Sequence, residues 1–221
     1  MRNRLIALIA LTFVWNSTFA QEDSTQVKSE PAKNEEYEIN SLASTASNIN
    51  YGGYGSLEFK HGHFGPTNGW MLGGNGAFVF QHKFAIGAGG YFNSSLLTFK
   101  GNNLVGKEEA SLNINYSYAG LFVEYNPKSD KLVHFSFPVW FGWGNVKINE
   151  YTDGLESGIV EQSKFFMVEP AANLEINVSS TIRIYGGAAL RFNFLNDELT
   201  NLSNNDLSSF MLNLGVKFGK F

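Results

Sequence analysis

Eight charged side chains in this sequence sit in unusual company: Glu58, Lys60, Glu124, Glu169, Glu175, Arg183, Arg191 and Lys217. Each alternates with apolar residues, and the positions sharing its parity include glycine, alanine, asparagine and tyrosine. Four carboxylates meet four bases. Gathered on one face they would form ion pairs, because a charge removed from water costs heavily unless it is matched. A second group could do nucleophilic chemistry. His134 and Ser136 flank Phe135 and so share a strand face. A serine activated by histidine also needs a carboxylate to orient the ring, and the sequence sets none beside this pair. His61 and His63 could offer two imidazoles to a metal, half of a site. No third ligand accompanies them, so neither a metal nor a cofactor is expected. Gly52-Gly53-Tyr54-Gly55 and Gly73-Gly74-Asn75-Gly76 are not phosphate loops, since no helix follows either run.

The elements that would position these groups are strands. Eight segments alternate apolar and polar or small residues: 51–63, 69–81, 84–97, 110–126, 132–146, 163–177, 181–194 and 207–220. None holds a helical period for more than a turn. Each is longer than a soluble strand of about 5–6 residues; a tilted membrane-spanning strand needs about 9–11. Short links (82–83, 127–131, 178–180) alternate with long polar ones (98–109, 147–162, 195–206), the asymmetry of an outer-membrane barrel. The long links carry nine acids, Glu108, Glu109, Glu150, Asp153, Glu156, Glu161, Asp197, Glu198 and Asp206. Their spacing matches no calcium loop, and a solvated acidic surface is expected.

Before these strands come two segments of other character. Arg2 and Arg4 precede an apolar run from Leu5 to Trp15 and small residues up to Ala20, the pattern of a secretory signal peptide over 1–20. Residues 21–50 are acidic and almost free of apolar side chains, which predicts a disordered linker. Beyond residue 20 the chain carries 14 basic residues (16 less Arg2 and Arg4) against 20 acidic ones. That balance excludes a basic footprint for nucleic acid. The absence of cysteine excludes a disulfide framework.

The faces sharpen the reading. Val133, Phe135, Phe137, Val139, Phe141 and Trp143 share one face, and His134, Ser136, Pro138, Trp140, Gly142 and Gly144 the other. Apolar faces turned to lipid and a mixed polar interior give an all-β fold: an eight-stranded antiparallel transmembrane up-and-down β-barrel over 51–221. Within 110–126, Leu112, Ile114, Tyr116 and Tyr118 stand out of phase with Leu121, Val123 and Tyr125. A β-bulge at Ala119-Gly120 would restore one lipid face. Pro138 and Pro170 lack ladder donors, so bulges or broken pairing are expected there. A three-residue turn at 178–180 would set Glu175 opposite Arg183 and Glu169 diagonal to Arg191.

The signal segment, the eight alternating strands and the aromatic Phe221 together resemble the small eight-stranded outer-membrane β-barrel proteins of Gram-negative bacteria, the OmpA/OmpX-like class. Val133–Pro138 and Val168–Glu175 resemble recurring pieces of uncharacterised Bacteroidota-type barrels. The resemblance implies residence in the cell outer membrane. It also implies contact with outer-membrane lipid and lipopolysaccharide, and insertion by the barrel-assembly machinery with Phe221 as its assembly signal. Phe221 stands one position out of phase with Leu214, Val216 and Phe218. The expected function is non-enzymatic, structural or surface-interacting, with a lumen plugged by the eight charges and an extracellular partner left open. A minor channel for small solutes is an alternative. So is a lipid-modifying hydrolase built on His134 and Ser136, whose His-x-Ser step is similar to that of lipid A deacylase barrels. A soluble lipocalin-like carrier would need the faces inverted.

Overall fold

A computed structural model describes residues 50–101, 110–152 and 155–221. The expected signal peptide (1–20) and nearly all of the expected linker (21–50) lie outside the described residues, as do Glu108, Glu109 and Asp153. The strands are β1 (Tyr51–Phe64), β2 (Thr67–Phe80), β3 (Phe84–Asn93), β4 (Thr98–Gly101), β5 (Ala110–Tyr125), β6 (Val133–Thr152), β7 (Leu155–Asn177), β8 (Ile182–Leu195) and β9 (Ser209–Lys220). One helical turn, α1 (Asn204–Leu207), precedes β9. Each long strand pairs antiparallel with its sequence neighbour; β1 also pairs with β9 and β3 with β5. The sheet is thus a closed barrel of eight strands. The short β4 adds to the outer end of β5, at Thr98↔Asn113 to Gly101↔Ala110.

Closure is what a membrane demands. Hydrocarbon offers no hydrogen-bond partner, so a sheet can cross it only without edges. The outside is correspondingly greasy: Leu57, Phe78, Leu121, Phe135, Leu190 and Leu214 are all exposed. Phe135 is 56% exposed, whereas Arg191, on the opposite parity, is 1% exposed. A soluble carrier with inverted faces is therefore ruled out. Toward the long-loop end the apolar belt finishes in Trp70, Phe92, Trp143, Phe166, Phe194 and Phe210, with Trp143 and Phe166 5.3 Å apart. Toward the short-turn end it finishes in Tyr51, Phe80, Phe84 and Tyr125; the Phe84 and Tyr125 rings lie 5.1 Å apart. These are the aromatic girdles of the two interfaces.

Three sequence expectations need correction. The bulge at Ala119-Gly120 does not exist. β5 keeps one register with β6 from Leu112↔Glu150 to Tyr125↔Phe137, and with β3 from Phe92↔Ser117 to Phe84↔Tyr125. Leu112, Ile114, Tyr116 and Tyr118 point inward and are buried. What changes along β5 is its surroundings. Its outward residues run Asn115 and Ser117, then Ala119, Leu121, Val123 and Tyr125. Beyond the belt the barrel stands in water, and there the apolar side faces inward as in any soluble protein. Phe64, Leu97, Leu112, Ile114, Ile148 and Phe165 form that upper core, with Leu202 and Leu207 set in it from the loop before β9.

The second correction concerns 147–162, expected as a loop. It is largely a hairpin continuing β6 and β7, with register shifts at Ile148/Asn149 and Glu150/Tyr151. Inward Val146 and Ile148 extend the upper core, which gives the strands a reason to go on. The third concerns the β7–β8 turn. Asn177 faces Arg183, so the connection is longer than three residues and every partner moves by two. The prolines behave nearer to expectation. β6–β7 pairing lapses between Ser136↔Asn173 and Val139↔Pro170, and β7–β8 pairing between Val168↔Phe192 and Ala171↔Ala189. Register is unchanged on both sides of each gap, so pairing breaks without a bulge.

At the long-loop end Glu161 fastens the loop that precedes β9. Its carboxylate accepts from the Thr200 amide (2.8 Å), the Asn201 amide (3.2 Å) and the Asn201 side chain (2.9 Å). Partial burial raises its pKa, but these donors outweigh burial and leave it below the usual carboxylate value. The bonded loop is therefore fully stabilised above the ordinary carboxylate range and loses that contribution as pH falls through the lowered value. Protection of the Thr200 and Asn201 amides from exchange, taken relative to the intrinsic rate at each pH, should fall below about pH 4, and E161Q should abolish that fall.

The membrane orientation gives a separate expectation. L214R puts a cation in the middle of the belt and should cost about 2–4 kcal/mol of reversible unfolding free energy in phospholipid. A near-neutral result would contradict burial of this face in hydrocarbon.

Candidate functional site

In the interior of the membrane-embedded part, buried ionisable groups of both signs converge. Inward positions follow from strand parity: Glu58 and Lys60 from β1, Glu124 from β5, Glu169 and Glu175 from β7, Arg183 and Arg191 from β8, Lys217 from β9. All eight expected lumen charges are buried there, in two linked clusters. In the upper cluster Glu169 pairs with Lys60 and, at 2.7 Å, with Arg191 Nε. Lys60 also lies 3.8 Å from Glu58 and donates to the Tyr118 hydroxyl at 3.1 Å. Tyr91 donates to Glu58 at 2.5 Å. In the lower cluster Lys217 bridges Glu124 (2.7 Å) and Glu175 (2.5 Å), and Tyr54 donates to Glu124 at 3.2 Å.

The corrected turn changes who faces whom. Across the β7–β8 register Glu169 falls opposite Arg191, while Glu175 faces Tyr185 and reaches Arg183 only diagonally, at 3.6 Å. The sequence expectation had these two relations exchanged. Tyrosines and Trp140 wrap the bases: Lys60 Nζ is 4.1 Å from the Tyr91 ring centre and 5.4 Å from that of Trp140. Such cation–π contacts help replace lost hydration. Gly73 makes room for this, because a Cβ there would collide with the Tyr91 ring. Gly215 does the same for Tyr185. The tyrosines are the members of the site that sequence reasoning missed. Their signal was present in the parity shared with the charges, beside those inward glycines.

The His134–Ser136 pair acquires the carboxylate it lacked in sequence. His134 is registered opposite Glu175, with Nε2 3.3 Å from Oε2. The order of contacts is nevertheless wrong for catalysis. A base must stand between serine and carboxylate, yet the other ring nitrogen, Nδ1, faces the Lys131 carbonyl at 3.1 Å. No hydrogen bond joins either nitrogen to Ser136, which is 0% exposed. His61 and His63 face outward; the His61 ring lies against Trp70, 4.5 Å between centres, at the edge of the belt. Among the described residues no cluster of three metal-ligating side chains occurs. Of the loop acids, Glu161 and Asp206 serve the chain itself, Asp206 accepting from the Ser203 amide at 2.8 Å.

At the short-turn end the barrel opens into a mouth of about 630 Å³, bordered by His82, Lys83, Lys128, Arg183 and Phe221. Phe221 continues the inward parity of β9. Its ring centre lies 3.8 Å from the Arg183 guanidinium carbon and 5.7 Å from the Tyr54 ring, and its main-chain oxygen is 2.6 Å from His82 Nδ1. Between the two ion clusters lies a cavity of about 10 Å³, room for roughly one water.

The upper cluster has a direct consequence. E169Q leaves Lys60 and Arg191 buried with little compensation and should destabilise the barrel by about 3–5 kcal/mol. Replacing Glu169 and Arg191 together by apolar residues of similar volume should recover most of that loss. Unfolding of both variants in detergent measures the difference.

A closed barrel with a greasy outer belt and an interior that matches its own charges spans a membrane, and barrels of this architecture are outer-membrane proteins. The outer membrane is where this protein resides. No protein-family model matches the chain, and no curated protein matches it. Solved structures similar in fold include Neisserial surface protein A, at 12% identity and a TM-score of 0.49 over 78% of this chain and 99% of that one. Ail, the attachment invasion locus protein of Yersinia pestis, aligns at 11% identity and 0.48 over 76% and 98%. A major outer membrane protein from Thermus thermophilus aligns at 14% identity and 0.48 over 76% and 98%.

Proposed function

We propose that the protein is a non-enzymatic outer-membrane barrel of the small OmpA/OmpX-like build, with a structural or surface-interaction role and a lumen sealed to ions. The observation carrying this reading is the interior itself. The cavity between the two clusters, lined by ion pairs and tyrosines, holds about 10 Å³, far below what a hydrated ion needs. Eight strands enclose a space that side chains can fill, and here the fillers hold one another by charge. The upper core, set with Leu202 and Leu207, lies over the ion clusters. The sealed His134–Ser136 pair argues against the hydrolase, and the filled lumen argues against the minor channel. What remains for interaction is the long-loop end, above all the β6–β7 hairpin, which outruns the other strands. We assign that end to the cell exterior and the short turns to the periplasm. Contact with outer-membrane lipid and insertion by the barrel-assembly machinery follow from the same reading. In the folded barrel Phe221 is tucked inside, so any assembly role for it belongs to the unfolded chain.

The purified barrel should show no large steady conductance in planar bilayers, and in gels it should migrate differently before and after boiling. E169Q in the same bilayers should raise the frequency of brief openings, because it removes the anion shared by Lys60 and Arg191. Steady open channels in the unaltered protein would overturn the sealed lumen.

A further inference from the structure

Just beyond the aromatic girdle, where β6 and β7 leave the belt, lies a polar recess of about 380 Å³ lined by Asn145, Lys147, Gln162, Ser163, Lys164 and Asp197. Its position follows from register. The rung Trp143↔Phe166 closes the apolar belt; the next outward rung is Asn145↔Lys164, and the one above it Lys147↔Gln162. Lys147 and Lys164 are diagonal neighbours on adjacent strands, about 7–8 Å apart in backbone terms, and long side chains converge across such a gap. Neither lysine has a carboxylate within ion-pair distance among the described residues. The ring of Trp143 packs on Phe166 directly beneath them. Asp197 supplies the single carboxylate of the lining, and its amide is tied to Ser163 Oγ at 3.1 Å.

We infer that this recess binds the phosphate of an outer-leaflet lipid, Lys147 and Lys164 converging on the phosphate while the Trp143–Phe166 step takes the first part of the acyl chain. The chemistry fits the depth. A lipid presents charge immediately above hydrocarbon, and here two ammonium groups stand immediately above the last apolar rung. Lysines in that position keep their stems on the greasy surface and their heads among the headgroups. Asn145 and Gln162 supply amide donors on the same two rungs. Asp197 opposes the anion and limits the affinity. The inference rests on the outer-membrane orientation proposed above and adds to it a site, two residues and a ligand class.

The test uses the folded barrel in phosphatidylcholine nanodiscs, with heat-dependent gel mobility verifying the fold in every sample. Amide shifts of residues 145–147 and 162–164 are followed as phosphatidic acid, a phosphate-monoester lipid, is added to the bilayer. A saturable response is expected, weakened about 30-fold in K147Q/K164Q, because each basic side chain near a lipid surface contributes about a factor of five. D197N should tighten binding several-fold, an effect that mere damage to the hairpin would not produce. Inorganic phosphate at equal bulk concentration should leave these amides unmoved. Equal responses to free phosphate would overturn the lipid assignment. A folded barrel with no saturable response, or with one that K147Q/K164Q leaves intact, would overturn the site while leaving the outer-membrane reading standing. Failure to fold in bilayers would instead overturn the reading beneath it.

Discussion

Hydrocarbon accepts neither a hydrogen bond nor a charge, and nearly every feature of this protein follows from that refusal. It forces β1 onto β9 and β3 onto β5, so that no strand edge meets lipid. It drives ionisable groups to the inward parity. Once inside, those groups find little water, and each must be met by a partner of opposite charge or by an aromatic face. The two ion clusters are thus a condition of closure. A charge-free interior would need other means to fill the space behind eight strands.

The same constraint ends abruptly at the girdle. Below Trp143 and Phe166 the apolar side of each strand looks outward; above them it looks inward. The upper barrel is in effect a small soluble protein, with its own core of Leu112, Ile114, Ile148 and Phe165. Two folding regimes share one set of continuous strands, and the strands do not need a bulge to change regime. Surface properties change with it. Asn115, Asn145, Lys147, Gln162 and Lys164 replace phenylalanine and leucine on the outside within two rungs.

This explains what could be read from sequence and what could not. Strand count, closure and the inward placement of all eight charges were legible, because within the membrane parity alone fixes each residue's surroundings. The rule fails above the girdle. Applied to Leu112–Tyr118 it turns an inward core into a lipid face and invents a bulge. It also reads 147–162 as a loop, since polar residues on the outside are normal there and Val146 and Ile148 do not reveal which way they point. Pairing across β7–β8 was misjudged for a different reason. Turn length is set by how far the strands continue as a ladder, and Val178–Thr181 carries no residue that marks the end. The carboxylate beside His134 was invisible because Glu175 is distant in sequence and adjacent only through register.

The barrel wall has a line of mechanical weakness. At Pro170 the main-chain ladder between β7 and β8 is interrupted, and across that gap Glu169 grips Arg191. Where the backbone cannot stitch the two strands, a side-chain clasp on the inner surface spans the seam. The barrel's hoop strength at that latitude is therefore supplied by electrostatics shielded from water, and a seam held this way would part sideways, toward the lipid, before it opened along the axis.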